Sequence, residues 1–160
     1  MKNTIIIAFL ISITFNGYCQ QQAMVWYFGN HSGLDFSGGS PQILVNNEFR
    51  AEAGCASICN NDGNLLFYTN GNKVWNKNHE IMENGDSLNG SQLVNQNSVI
   101  VPQPFSDSFY YLFTINDIDS IRGFNYSVID VSINNGLGKI IEKNIPIKNN
   151  VLEKIAAVEH

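Results

Sequence analysis

The 160-residue chain carries 9 Lys and Arg against 14 Asp and Glu, a formal net charge of -5, and is 44% hydrophobic, 14% charged and 11% aromatic. A nucleic-acid binder is excluded, because phosphate neutralisation needs clustered cations and these stand singly from Lys2 to Lys154. Low charge with abundant aromatic and β-branched residues also excludes a disordered chain, leaving one soluble globular domain.

The chain opens with Lys2, a mostly apolar run from Ile5 to Phe15, and small or polar residues after it, the layout of a secretory signal. Eleven residues that include Ser12 and Thr14 are too few to span a bilayer, so no transmembrane segment is expected. Gly17 and Cys19 supply the small side chains at the -3 and -1 positions of a cut before Gln20. Residues 1–19 are then a signal peptide and residues 20–160 a mature domain of 141 residues. In the rival reading Cys19 is lipidated and anchors the product, although the bulky Tyr18 stands where that processing wants a small residue. Both readings export the protein, to the periplasm, the outer cell surface or the medium.

Export leaves Cys55 and Cys59 in a compartment that permits disulfides. A strand through Gly54–Cys59 holds their α-carbons about 13 Å apart, beyond the roughly 7 Å a disulfide tolerates. They read as small buried hydrophobes. His31, His79 and His160 stand at no ligand spacing from them, so neither a metal nor another cofactor is expected.

Short apolar stretches rich in Ile, Val, Phe and Tyr are bounded by Asp62-Gly63, Asn70-Gly71, Asn84-Gly85, Asn89-Gly90 and Asn135-Gly136, which reads as an all-β chain. A first hairpin joins Gly54–Cys59 to Asn64–Thr69 across Asn60–Gly63, where the Asp-Gly pair supplies positive φ. A second joins Ser98–Val101 to Phe109–Ile115, with Pro102 and Pro104 in the connection, where no ladder bond is lost. A third joins Phe124–Val131 to Lys139–Ile145 across Asn134–Gly138. The last two in succession make a four-stranded antiparallel meander, the unit of a β-propeller blade.

Leu66-Phe67-Tyr68-Thr69 recurs in character as Tyr111-Leu112-Phe113-Thr114, an offset of 45 residues, near the propeller period of about 40 to 45. A further unit is expected to open at Lys154–Val158. Closing a ring takes about four or more blades, and the mature domain holds roughly three at this period. The expectation is an incomplete, WD-repeat-like propeller of about three blades or fewer, the N-terminal part of a larger domain.

Three segments carry a family resemblance: Trp26–Phe36, Gly63–Gly71 with Val74-Trp75-Asn76, and Phe124–Asp130. Together they resemble the N-terminal propeller region of large secreted Bacteroidota proteins. Such proteins continue into immunoglobulin-like or PKD-type repeats and end in a type IX secretion sorting domain of the gliding-motility-associated kind. The resemblance implies a secreted or surface-attached protein with no established enzymatic activity.

Candidate ligand-binding residues are few. Trp26 and Trp75, with Tyr27, Tyr68, Tyr110 and Tyr111, can stack on pyranose rings, or equally fill blade cores. His31 with Asp35, read in the loop before Phe36, can make an acid and base pair or cap the local backbone. Asp62 among Asn60, Asn61 and Asn64, and Asp117 with Asp119, fail the EF-hand pattern. Ser37–Pro41 has glycines but no Lys-Ser/Thr pair, and reads as a flexible turn. No nucleophile elbow, zincin motif or spaced carboxylate pair is present, so no catalytic residue is assigned.

Trp26, His31 and Asp35 therefore stand as binding candidates; Trp26, Phe28 and Trp75 as packing residues; Gly63, Gly71 and Gly136 as turn residues. The expected role is a non-catalytic secreted or cell-surface module that binds glycans or extracellular proteins, since a propeller presents a rigid ring face built of loops. The alternatives are a fragment of a propeller enzyme whose catalytic groups lie in other blades, and a structural fragment with no activity of its own.

Overall fold

The computed structural model describes residues 21–45, 47–116, 123–152 and 154–158. The expected signal peptide, the Cys19 lipidation site and the Asp117/Asp119 pair lie outside the described residues. A 3-10 turn, Gln21–Ala23, leads into β1 (Val25–Phe28), which pairs antiparallel with β2 (Ser32–Asp35), and β2 with β3 (Gln42–Leu44). The period-2 pleat sends Val25 and Tyr27 into the protein, and Trp26 and Phe28 to the opposite face, 49% and 38% exposed. The expectation that Trp26 and Phe28 pack in the core is corrected here: strand alternation gives the inward positions to their neighbours.

The second sheet is β4 (Ala56–Cys59), β5 (Leu65–Thr69) and β6 (Val74–Asn76) in chain order. Asn60 shapes its first turn, its side-chain oxygen accepting from the N–H groups of Asp62 and Asn64 at 3.0 and 2.9 Å. Gly63 takes φ +84° there.

The third sheet is a four-stranded antiparallel meander of β7 (Ser98–Pro102), β8 (Phe109–Asn116), β9 (Gly123–Asp130) and β10 (Lys139–Lys148). Between β9 and β10 lies a four-residue helical turn, α1 (Ile133–Gly136), in which Asn134, Asn135 and Gly136 all have positive φ. Asparagine tolerates that region because its short polar side chain bonds locally, and Asn134 Nδ2 donates to the Gly138 carbonyl at 3.2 Å. Pro146 sits in β10, an edge strand broken by register shifts, where a missing donor costs least. Residues 154–158 are not a strand: among the described residues no strand pairs with them to supply ladder bonds, which corrects the expectation of a new unit there.

The fold is all-β, and the described residues form three antiparallel sheets with the second sheet between the other two. One face of that middle sheet, Cys59, Tyr68 and Trp75, packs on Val25, Tyr27 and Phe49. Its other face, Ile58, Phe67 and Val74, packs on Tyr110, Leu112, Ile129 and Ile140 of the third sheet, with Met82 and Leu88 filling between. Phe67 and Tyr68 are wholly buried, and each side chain so removed from water contributes roughly 2–3 kcal/mol. The first strands adjoin: β4 touches both β1 and β7.

The internal repeat holds for strands and fails by one residue for side chains. Both segments are the second strand of their sheet, β5 and β8. At an offset of 45, however, Phe67, which faces the third sheet, matches Leu112, which faces back toward the second. A period of 2 makes any odd shift exchange the two faces.

A buried amide ties the second sheet to the third. Asn97, wholly buried just before β7, directs Nδ2 at the carbonyls of Gly54, Asn70 and Ser91 at 3.0, 2.6 and 2.9 Å. Its backbone carbonyl accepts from Ile115 N–H at 2.8 Å. Gly71, at φ +84°, leaves the space: a Cβ there would stand 2.8 Å from Asn97 Cγ.

Candidate polar cleft

Two connections at the same end of neighbouring sheets enclose a cleft of about 300 Å³, lined by Gln22, Asn60, Asn61, Asp62, Pro102, Ser106, Asp107 and Tyr110. One wall is the β4–β5 turn, fixed by the Asn60 bonds above and by Gly63 N–H donating to the Asn60 carbonyl at 3.0 Å. Gln22 Nε2 reaches across to Asn61 Oδ1 at 3.0 Å, tying the N-terminal turn to this wall.

The facing wall is the β7–β8 connection. Ser106 Oγ accepts from the N–H groups of Ser108 and Phe109 at 3.3 and 3.1 Å, and Gln103 N–H donates to the Phe109 carbonyl at 2.9 Å. Phe105, in the same connection, has φ +62° and a fully exposed ring. At the base, burial and then the charge of Asp107 push the Tyr110 phenol above its ordinary pKa. The hydroxyl therefore stays protonated at neutral pH and can donate. The cleft combines carboxylate acceptors, amides able to donate and accept, one phenol donor and the apolar ring of Pro102. That set suits a ligand bearing several hydroxyl groups.

The residues singled out from sequence fall elsewhere. His31 lies in the β1–β2 turn at φ +54°, and Asp35 ends β2, about 13 Å away along an extended strand. The structure does not bring them together, and Asp35 is in a strand, not a loop before Phe36. His31 Nδ1 donates to the Asn47 carbonyl at 2.6 Å, so Nε2 is the acceptor for Arg50 Nε at 3.3 Å. Asp35 Oδ1 accepts from Ser37 N–H at 2.8 Å. Both side chains hold local backbone or a neighbour.

Trp26 and Trp75 form no common platform. Trp26 packs on Phe36, ring centroids 5.1 Å apart, on the outer face of the first sheet. Trp75 is 5% exposed and stacks on Tyr68 at 5.7 Å between the first and second sheets. Gly71 and Gly136 both take positive φ.

An aromatic group around His79 has no counterpart in the sequence reading. The Tyr68 hydroxyl and His79 Nδ1 share a hydrogen bond at 3.1 Å, and Tyr27 stacks on Tyr68 at 4.2 Å. Burial raises the Tyr68 phenol and lowers the proton affinity of His79, so both stay neutral together. Among the described residues no group of three or more His, Cys, Asp or Glu gathers as metal ligands. Cys55 and Cys59 are free thiols. Among the described residues no helix is long and apolar enough to cross a membrane.

Comparison with protein-family models, curated proteins and solved structures finds no match to this chain.

Proposed function

We propose that this chain is a non-catalytic binding module, exported and displayed outside the cell, whose three sheets are successive blades of a β-propeller and whose ligand is a glycan. The observation that carries the binding role is the polar cleft between the β4–β5 and β7–β8 connections. Vicinal sugar hydroxyls pair with the carboxylates of Asp62 and Asp107 as donors and with the Asn61 and Gln22 amides in either sense. Pro102 and the exposed Phe105 offer apolar contact to a pyranose face. No proton transfer or covalent step is needed.

The propeller reading is supported by three features: sheets in chain order, antiparallel meander connections, and first strands that adjoin from sheet to sheet. On that arrangement the cleft is an inter-blade loop site. Export is supported by the signal-like residues 1–19.

The test is a glycan array probed with the purified chain, then with Asn61→Ala and Asp107→Ala. Both residues are exposed, so neither substitution removes core packing. Binding to a defined glycan set, weakened about tenfold or more by each variant, is expected, as for hydrogen bonds to charged or polar partners worth ~1.5 kcal/mol. An array with no bound glycan, or binding untouched by both variants, refutes the reading.

A further inference from the structure

The cleft between the β4–β5 and β7–β8 connections holds more acceptors than the protein itself satisfies. Asp62 stands on one wall and Asp107 on the other, both exposed. Among the described residues neither pairs with a cation; ion pairs join Lys139 to Glu83 and Lys143 to Asp86 instead. Asp62 Oδ2 meets Asn60 Nδ2 at 3.5 Å, a weak contact. Gln22 spends its amide nitrogen on Asn61 Oδ1, which leaves its carbonyl oxygen as a further acceptor.

Tyr110 points to a ligand independently. Its side chain is 4% exposed and lines the cleft, and among the described residues its hydroxyl has no hydrogen-bond partner. Buried polar groups are nearly always paired, so a buried phenol left open onto a cleft is a group that a ligand completes. Burial first and then the Asp107 charge raise the pKa of that phenol, which sets its oxygen on the Asp107 side.

We infer that the glycan this cleft takes carries free amino groups: a hexosamine whose ammonium sits between Asp62 and Asp107 while Tyr110 donates to a neighbouring sugar oxygen. The inference rests on the glycan reading above and names its ligand class. An ammonium brings three N–H donors and a positive charge, where a sugar hydroxyl brings one donor and no charge. Hydrogen bonds assisted by charge are about twice as strong as neutral ones. Acetylation of the same nitrogen leaves one N–H and removes the charge. A divalent metal fits less well, because calcium takes about six to eight oxygens, and among the described residues no third His, Cys, Asp or Glu joins the two carboxylates.

Isothermal titration of the purified chain with oligomers of glucosamine, N-acetylglucosamine and glucose, matched in length and linkage, tests this. At low salt the glucosamine oligomer is expected to bind about tenfold more tightly than either of the others, the scale of two partly exposed ion pairs. Raising the sodium chloride concentration is expected to erode that preference. Asp62→Asn and Asp107→Asn keep size and turn propensity and remove one charge each, and each is expected to cut the preference about threefold. Equal affinity for the three oligomers, a preference that survives both substitutions, or one abolished by a chelator overturns the inference. So does trilysine binding as tightly as the glucosamine oligomer, since the cleft then reads charge alone and takes a basic peptide. Binding of the glucose or N-acetylglucosamine oligomer with no preference for the amine overturns only the amino-sugar inference and leaves the glycan reading standing. If none of the three binds, the amino-sugar inference falls, and the glycan reading falls with it when the array is blank as well.

Discussion

Replacing Asn97 with alanine removes the one side chain that serves the carbonyls of Gly54, Asn70 and Ser91 from a wholly buried position. An amide nitrogen has two hydrogens for these three acceptors, so two full bonds are lost and the third interaction was already shared. A buried carbonyl left without a donor costs ~1–3 kcal/mol, so two amount to about 3 kcal/mol after partial relaxation. For a domain of this size each kcal/mol lowers the melting temperature by roughly 3–4 °C, giving a drop of about 10 °C. Asn97→Asp, which points a second acceptor at three carbonyls, is expected to fall further. Thermal unfolding followed by circular dichroism reads both variants. An Asn97→Ala melt within about 2 °C of the parent refutes the reasoning, since a loss of ~0.5 kcal/mol means water or a shifted backbone replaces the amide at little cost.

Gly63→Val forces a β-branched residue to φ +84° and brings its Cβ to 3.3 Å from Met24 Cγ, so it is expected to cost roughly 2 kcal/mol, read as a lower urea midpoint at unchanged slope; an unchanged midpoint contradicts the turn assignment. The His79 group predicts a pH dependence. Burial lowers its folded-state proton affinity below the ordinary value near 6.5, so the unfolded chain binds the extra proton first. Stability is then full above pH 6.5 and declines as pH falls through the depressed folded value, while His79→Gln flattens the melting temperature between pH 7 and 5. The lowered Glu83 carboxyl, held by Lys139 and Asn134, acts only below its ordinary 4.5 and stays out of that window. An equal slope in parent and variant rules out His79 as the source.

The four strands of the third sheet were legible because each is a run of alternating Val, Ile, Tyr and Phe between turn residues, and such runs pair with their neighbours in chain order. The first sheet was not delimited. Its strands are three or four residues long, Gly33 interrupts β2, and the β1–β2 turn is made by Gly29 and His31 at positive φ without a recognisable turn dipeptide. Trp26 and Phe28 show the same limit from another side: composition marks them as core residues, and only the pairing register tells which face they occupy. The cleft was invisible for a physical reason. Asn60–Asp62 and Ser106–Asp107 each read as local turn formers, and they meet because the second sheet packs on the third, a long-range consequence of Phe67, Tyr110 and Leu112. Asn97 likewise looks like one more loop asparagine. The signal that could have found it is the pair Gly54 and Gly71, whose missing side chains make room for it.

The binding role is tested most directly by chemical-shift mapping of the isotope-labelled chain titrated with a glycan selected from the array. The account predicts that backbone amide shifts concentrate at Asn60–Asp62 and Ser106–Tyr110, with Gln22 moving alongside them. Shifts centred instead on the Trp26–Ile43 face or on the Tyr111–Tyr126 face, with the two turns unmoved, would contradict it.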